Sequence, residues 1–494
     1  MPDIKEDRRT SFSLIAAQTQ DTSLGRAITP LKEVHGDNSG VYPLSNPREA
    51  FAVRVLLARK AERTLDLQYY IWHDDTTGRL LLAELLAAAE RNVRVRLLLD
   101  DNGTAGLDHE IAALNAHPNI EIRLFNPFSN RRLKALGYVT DFSRLNRRMH
   151  NKSMTADSQA MVIGGRNIGD DYFGATTGVL KADLDALIVG PVVDEVSLDF
   201  DKYWASPVAY PADSIVGALT PMEAQRVGTE LADTVNQSEA QDYIEAIRNS
   251  DFFETLMSGN APFLWSDVQM VTDDPAKALG NIDGDGLLMR QLETILARPE
   301  SSVVLVSPYF VPTQAGTDFF VALAARGVEV RILTNALEST DVLPVHAGYA
   351  KRRKALLAGG VKLFEMMRLS AQASKSAGSG PFGSSASSLH AKTFAIDGQR
   401  VFIGSFNFDP RSMHLNTELG FVIESPELAE DVEAALTAGT PEHAYEVLLD
   451  ENGRIYWIDQ RSGEARQLGT EPNTSWFKRG LVAILERLPI EWLL

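Results

Sequence analysis

Two histidines head motifs of identical spacing, His150-x-Lys152-x4-Asp157-x6-Gly164-x-x-Asn167 and His390-x-Lys392-x4-Asp397-x6-Gly404-x-x-Asn407. The chain holds nine histidines. A lysine at +2 and an aspartate at +7 would coincide by chance on the order of 0.02 times, and a second copy with the same continuation is far rarer. Imidazole acts near neutral pH both as nucleophile and as proton donor, so a pair can divide those tasks. Lysine brings a point charge and asparagine brings directed N–H donors, which suits the non-bridging oxygens of a phosphoryl group during transfer. This chemistry needs no metal and no cofactor, and none is expected. A dinuclear metal site would recruit several carboxylates, and lysine is not a ligand type. Asp157 and Asp397 belong to the candidate catalytic set by their place in the motifs. Their expected role is to fix backbone near the site.

The elements that must position these residues also occur twice, at a period of about 240 residues. RTLDLQYYIW from Arg63, GRLLLAELLAAAERN, VRVRLLLDD, IEIRLFNPF and MHNKSMTAD are matched in order by SSVVLVSPYFV from Ser301, TDFFVALAARG, VEVRILTNA, VKLFEM and LHAKTFAID. Short β-branched runs alternating with amphipathic segments predict βαβ units and a mostly parallel sheet in each copy. Such sheets bind ligands at the carboxyl ends of their strands, so two copies can share one site there. Alternation within NKSMTAD and AKTFAID predicts strands that project His and Lys from one face.

The expected organisation is an N-terminal extension (1–45), a first half (46–208), a connecting region (209–297), a second half (298–430) and a C-terminal appendage (431–494). Within the connecting region, NIDGDG from Asn281 looks like a calcium loop, but Leu292 stands where a bidentate glutamate is needed. The Ser-, Ala- and Gly-rich stretch from Ser370 to Ser388 is expected to be a flexible loop, either a lid or an inert insertion.

The chain has 494 residues, 44% of them hydrophobic, and no cysteine, which excludes global disorder, disulfides, thiolate metal sites and a cysteine nucleophile. A formal charge of -18 disfavours nucleic acid as a partner. No window is long and apolar enough to span a membrane, and the start lacks a signal-peptide pattern. The expected location is the cytoplasmic face of the cell membrane.

The paired motifs resemble the duplicated HKD motifs of the phospholipase D superfamily. YYIW, RLLLDDNG, RLFNPF, YVTDFSRLNRRMHNKS with GGRNIGDDYFG, SLHAKTFAIDG with VFIGSFNFDPRS, and LPIEWLL are similar to the C-type subfamily of bacterial cardiolipin synthases, from about Tyr42 onward. The resemblance implies an α/β fold of two phospholipase D-like half-domains related by pseudo-twofold duplication, with one active site at their interface. It implies that His150 attacks the lipid phosphorus while His390 protonates the departing alcohol and then activates an incoming one. Lys152, Lys392, Asn167 and Asn407 would hold phosphate oxygens. Carboxylates at Glu418 and Asp185 would hydrogen-bond the motif histidines. The implied reaction is phosphatidyl transfer to phosphatidylglycerol from phosphatidylethanolamine or a second phosphatidylglycerol. Hydrolysis to phosphatidic acid and cleavage of nucleic acid are the alternatives, and an accessory protein is a plausible partner.

The family's G-S-x-N is kept as Gly404-Ser405-Phe406-Asn407, but the first copy reads Gly164-Gly165-Arg166-Asn167, so the first half-site lacks a serine donor. Arg166 either compensates for that donor or, as the favoured expectation, pairs with a surface acid. Seven cations from Arg131 to Lys152 (Arg131, Arg132, Lys134, Arg144, Arg147, Arg148, Lys152), with Phe128, Leu133, Leu136, Tyr138 and Phe142 among them, form either a surface for an anionic leaflet or a solvated basic face. The terminal segment from Ser475, with Trp476, Phe477, Trp492, Leu493 and Leu494, reads equally as an interfacial helix or as a last piece of core.

Overall fold

The computed structural model describes residues 9–131, 134–174, 180–248, 251–282, 284–295, 298–368, 387–461 and 463–494. The Ser370–Ser388 loop lies outside these residues, apart from its last two.

The strands of the first half are β1 (Ser39–Leu44), β2 (Thr64–Ile71), β3 (Arg94–Gly103), β4 (Ile120–Phe125), β5 (Ser153–Ala156), β6 (Ala160–Gly164), β7 (Leu180–Ala182), β8 (Asp185–Val189), β9 (Ala209–Pro211) and β10 (Leu264–Ser266). All but β7 form one sheet in the order β10-β1-β8-β6-β5-β2-β3-β4-β9. Then come β11 (Val268–Thr272), β12 (Ser302–Val306), β13 (Glu329–Asn335), β14 (Lys362–Met366), β15 (Ser387–Leu389), β16 (Thr393–Ile396), β17 (Arg400–Gly404), β18 (Leu419–Glu424), β19 (Ala444–Leu449), β20 (Ile455–Asp459) and β21 (Arg466–Leu468). Their sheet runs β11-β18-β17-β16-β12-β13-β14-β19-β20-β21. The two orders match strand for strand from β1 to β9 and from β11 to β19. Each sheet has a parallel centre, β2-β3-β4 and β12-β13-β14, and antiparallel flanks.

Helices cover the parallel strands, and local chemistry sets where they begin. Asn46 caps the helix Pro47–Lys60 by accepting from Arg48 N and Glu49 N, with proline in the first turn where no N–H is needed. Asp75 caps the helix Thr76–Glu90 through Gly78 N. Both faces of the sheets are buried, and side chains alternate between them. On β8, Leu187 and Val189 enter the core under the outer helices, whereas Ala186 and Ile188 enter a second core with Val304, Val306, Ala395, Ile403 and Phe421 of the other half. That shared core fixes the two halves face to face. A small parallel pair, β7 with β15, also links them.

The sheets cross the expected boundaries. β1 lies in the presumed N-terminal extension, and the connecting region contributes β9 and β10 to the first sheet and β11 to the second. Val227, Leu231, Tyr243 and Ile244 from its helices pack in the first half's outer core. Leu292 is likewise buried in an apolar cluster. The C-terminal appendage extends the second sheet through β19, β20 and β21. It is clamped to the helix Leu343–Ala358, where Arg353 pairs with Glu365 at 2.9 Å and Glu471 at 2.5 Å, and Trp457 Nε1 donates to Glu365 at 2.9 Å. Edge strands contributed from afar carry no mark in the sequence of the sheet they join.

The basic run is not a free cationic face. Arg148 is buried against Asp100 at 2.9 Å, Arg144 pairs with Asp141 at 2.6 Å, Arg131 pairs with Asp108, and Phe128 is buried. Arg132 and Leu133 lie outside the described residues, as does the Leu136 side chain.

Asp157 and Asp397 sit away from the histidines. Each follows its motif strand in a left-handed turn, at φ 52 and φ 55. Asp157 accepts the backbone N–H groups of Glu62, Arg63 and Thr64 at 2.8 to 3.0 Å, and Asp397 accepts those of Glu300, Ser301 and Ser302 at 2.7 to 3.1 Å. Both therefore bind the amino ends of β2 and β12, at the opposite edge from the carboxyl ends that face the site. They belong to the fold and not to the reacting set. Asp157→Ala leaves one buried and two partly buried donors unpaired and is expected to cost about 2–3 kcal/mol in urea unfolding, against about 1 kcal/mol for the more exposed Asp397.

Candidate active site

The strands β5 and β16 begin only at Ser153 and Thr393, so His150–Lys152 and His390–Lys392 are extended lead-ins rather than strand residues. Each lead-in is held by the opposite half. His150 N donates to Thr417 O at 2.9 Å, and His390 N donates to Ala182 O at 2.7 Å. The residue after each of those carbonyls is the acid that completes the site. Glu418 Oε2 lies 2.8 Å from His150 Nδ1, and Asp183 Oδ2 lies 2.5 Å from His390 Nδ1. Each motif histidine thus takes its carboxylate from the other copy. Both lysines fold back, Nζ donating to the carbonyl of the histidine two residues before.

Asp185 does not hold a histidine. It is buried with Arg54 at 2.8 Å and Arg166 at 3.4 Å, inside the first half. Asp183 takes the expected role, and the reason is the period of a strand. In ADLDALIVG both aspartates have the same parity, and only the sheet register, which pairs Gly164 with Asp185 and Gly404 with Gly420, shows that Asp183 matches Glu418. Arg166 is also corrected: it is buried, and its guanidinium donates to the carbonyls of Leu44, Ser45 and Asp183. It bonds the backbone carbonyl of the residue that holds His390.

The missing first-copy serine has a steric cause. A Cβ on Gly165 would stand 2.2 Å from Asp183 Oδ1, so glycine makes room for the carboxylate. In the second copy Ser405 Oγ donates to Glu418 at 2.5 Å and Ser412 Oγ donates to it at 2.8 Å. Ser405 is therefore a support for Glu418. Asn167 Oδ1 accepts from Ile71 N at 3.1 Å, while its Nδ2 donates to the Tyr172 hydroxyl at 2.9 Å. Asn407 is buried, and its Oδ1 has no hydrogen-bond partner among the described residues.

Further residues complete the walls. Tyr70 stands edge-on to His150 with ring centroids 4.9 Å apart, and Tyr172 stands edge-on to His390 at 5.2 Å. Tyr70 lies in the YYIW phrase, which gave it no role of its own. Tyr172, Ser412, Lys181 and Arg411 carried no spacing that marked them.

Burial sets the electrostatics. His150 is held well below the ordinary histidine range by burial and then by the charges of Lys152, Lys392 and Arg411. His390 is lowered in the same way, by burial and then by Lys392, Lys181 and Lys152. Lys392 is pushed down to about 8 by burial, and Lys152 is lowered by the same cause. Glu418 is pushed up to about 7 by burial, against the pull of Lys152 and the two serines. Cations that repel one another in a buried space favour an anion between them, and a phosphodiester meets that demand. The set can deliver a neutral imidazole nucleophile, a proton donor opposite it, and N–H donors for the oxygens of phosphorus.

The two aspartates of the first half separate cleanly by substitution. Asp183→Asn is expected to keep the fold and lower turnover on the order of 100-fold or more, because the imidazole loses its orienting carboxylate. Asp185→Asn leaves the buried Arg54 and Arg166 without their counter-charge and is expected to cost about 3–5 kcal/mol in unfolding experiments.

The family model described as cardiolipin synthase, PLD-like domain matches twice, over residues 56–204 and 292–438. Cardiolipin synthase C of Escherichia coli (strain K12) is 48% identical over 95% of this chain and 99% of its own length. Cardiolipin synthase B of Shigella flexneri is 26% identical over 78% of this chain and 77% of its own. In fold, the chain is similar to the crystal structure of phosphatidylserine synthase from Haemophilus influenzae Rd KW20, with a TM-score of 0.60 and 14% identity, covering 95% of this chain and 100% of that one. With its two matched halves and its shared pair of histidine sites, the chain belongs to the family of cardiolipin synthase, PLD-like domains.

Proposed function

We propose that this chain is a cardiolipin synthase, a phosphatidyltransferase that passes a phosphatidyl group from a donor phospholipid to phosphatidylglycerol. The observation that carries this reading is the pair of buried histidines, each oriented by a carboxylate of the opposite half. The 48% identical relative over nearly the full chain supplies the substrate class.

His150 donates Nδ1–H to Glu418, which leaves Nε2 with its lone pair for attack on phosphorus. The new P–N bond forms as the P–O bond to the donor's head-group alcohol breaks, and His390 gives that oxygen a proton. In the second step His390 takes the proton of the acceptor's hydroxyl, its oxygen attacks phosphorus, and the P–N bond breaks. The assignment of His150 as nucleophile follows the family resemblance. Lys152, Lys392, Asn167 and Asn407 hold the non-bridging oxygens. The negative charge of the bound phosphodiester offsets the lysines and lets His390 carry its proton. Transfer prevails over hydrolysis only where water is kept from the phosphatidyl-histidine.

Contact with the membrane is peripheral in this reading, at its cytoplasmic face. Among the described residues no helix is long and apolar enough to cross a bilayer. The helix Trp476–Leu485 supports the interfacial reading of the terminal segment while it also packs on the core. Val482 is buried beside Leu337 and Ala347, while Trp476 at 79% and Phe477 at 66% are exposed. Trp492 is also exposed, and Arg411, whose charge reaches His150, donates its backbone N–H to Leu494 O at 2.7 Å. The apolar tail thus lies beside the site that a lipid must enter.

Incubation with vesicles of phosphatidylethanolamine and isotopically labelled phosphatidylglycerol, read by mass spectrometry, is expected to yield labelled cardiolipin. His150→Ala and His390→Ala should abolish it, and the label distribution names the donor. Phosphatidic acid alone would make the enzyme a lipase and overturn the reading. The pH profile gives a second check. Glu418 is ionised above about 7 and protonated below it, so kcat/KM should rise with pH through that region as an ionisation of the His150–Glu418 pair. Glu418→Gln should remove that limb and lower kcat on the order of 100-fold or more.

A further inference from the structure

The hydroxyl of Tyr172 has its hydrogen bonds set on one side only. Ile71 N donates to Asn167 Oδ1, which fixes the orientation of that amide, so the atom 2.9 Å from the tyrosine oxygen is the donor Nδ2. Lys181 Nζ, 3.0 Å away, is also a donor. Both lone pairs of the hydroxyl are therefore occupied, and its own proton must point to a third partner. No acceptor for it is found among the described residues. Burial pushes the phenol up to about 12, so it keeps that proton.

Lys181 stands beside it. It is carried on β7, one residue before the carbonyl that holds the His390 backbone, and its side chain is 23% exposed. It pairs with Asp171 at 3.0 Å, and Asp171 also faces His73 Nδ1 at 3.6 Å. The pseudo-symmetric positions on the His150 side do different work. Ser412 matches Tyr172 and is spent on Glu418, while Arg411 matches Asp171 and donates to Asn146 Oδ1 at 2.7 Å and Asn146 O at 2.8 Å. Among the described residues, the paired hydroxyl and lysine thus stand beside His390 and are not repeated at the matching positions beside His150.

In-line displacement places the entering alcohol opposite His150, on the His390 side. If the chain is a cardiolipin synthase, the reading on which this inference rests, that alcohol carries a phosphodiester of its own three carbons from the attacking hydroxyl. In that reading Lys152 and Lys392 serve the reacting phosphate. We propose that Lys181 and the Tyr172 hydroxyl form a second anion site, which binds the phosphodiester of the acceptor lipid and selects a phosphorylated alcohol over a neutral one.

The test is a ratio of two acceptors. Transfer from a labelled donor phospholipid in vesicles is measured to phosphatidylglycerol and to free glycerol, which offers the same primary hydroxyl without the phosphate. Lys181→Met is expected to lower the ratio of kcat/KM for phosphatidylglycerol to that for glycerol at least tenfold, through KM for phosphatidylglycerol. Lys181→Arg should restore most of it, and Tyr172→Phe should lower it about threefold. A ratio unchanged in Lys181→Met, whether both transfers fall or neither does, overturns the second anion site. Should Lys181→Met fail to fold, Lys181→Gln reads the same ratio. Wild-type protein that transfers to neither acceptor overturns the cardiolipin synthase reading itself, and this inference with it.

Discussion

The hydrogen bonds from His150 to Glu418 and from His390 to Asp183 are the constraint on which the rest of the molecule depends. Each crosses from one half to the other, so neither half contains a complete site. An oriented histidine requires its ring, its backbone and its carboxylate to be placed by elements about 200 residues or more apart in sequence, within the tolerance of a hydrogen bond. The apolar core between the sheets meets that requirement. Val304, Ala395, Ile403 and Phe421 packed on Ala186 and Ile188 hold the faces in register, and the β7–β15 pair and the Met149–Thr417 bridge pin the segments that carry the reacting groups.

The same arrangement concentrates charge where water is scarce. Two lysines and two histidines share a buried space with two carboxylates, and burial works against every charged form. Supports from outside the site hold it together. Asp273 accepts Glu418 N at 3.0 Å and pairs with Lys277 at 2.8 Å, and Ser405 and Ser412 steady the carboxylate itself. Asp157 and Asp397 act at a greater distance. By fixing the amino ends of β2 and β12 they set the register of the strands beside which the motifs run.

Duplication supplied two equal half-sites, and substitution has made them unequal. Gly165 against Ser405, Asp183 against Glu418, Asp171 against Arg411 and Tyr172 against Ser412 occupy matching positions with different chemistry. A two-step transfer asks one histidine to bond phosphorus and the other to shuttle a proton. The surroundings differ accordingly: Glu418 is steadied by two hydroxyls, and beside His390 an aspartate fits directly into the space that a glycine leaves open.

The sequence by itself displayed the duplicated α/β architecture and the paired residues His150, Lys152, Asn167, His390, Lys392 and Asn407, because identical spacing within two copies is a pattern that one chain can display, whereas Glu418 was reached only through the family resemblance. It also showed that Gly165 breaks the copy. What it could not decide was which of two aspartates two residues apart reaches a histidine. Strand parity makes Asp183 and Asp185 equivalent, and only the register against β6 separates them. Nor could it show that each carboxylate serves the opposite half, that Arg166 is buried, or that the connecting region lends strands to both sheets. Those are facts of long-range pairing, set by the packing of one sheet on the other, and no local pattern of residues encodes which distant edge a strand will meet.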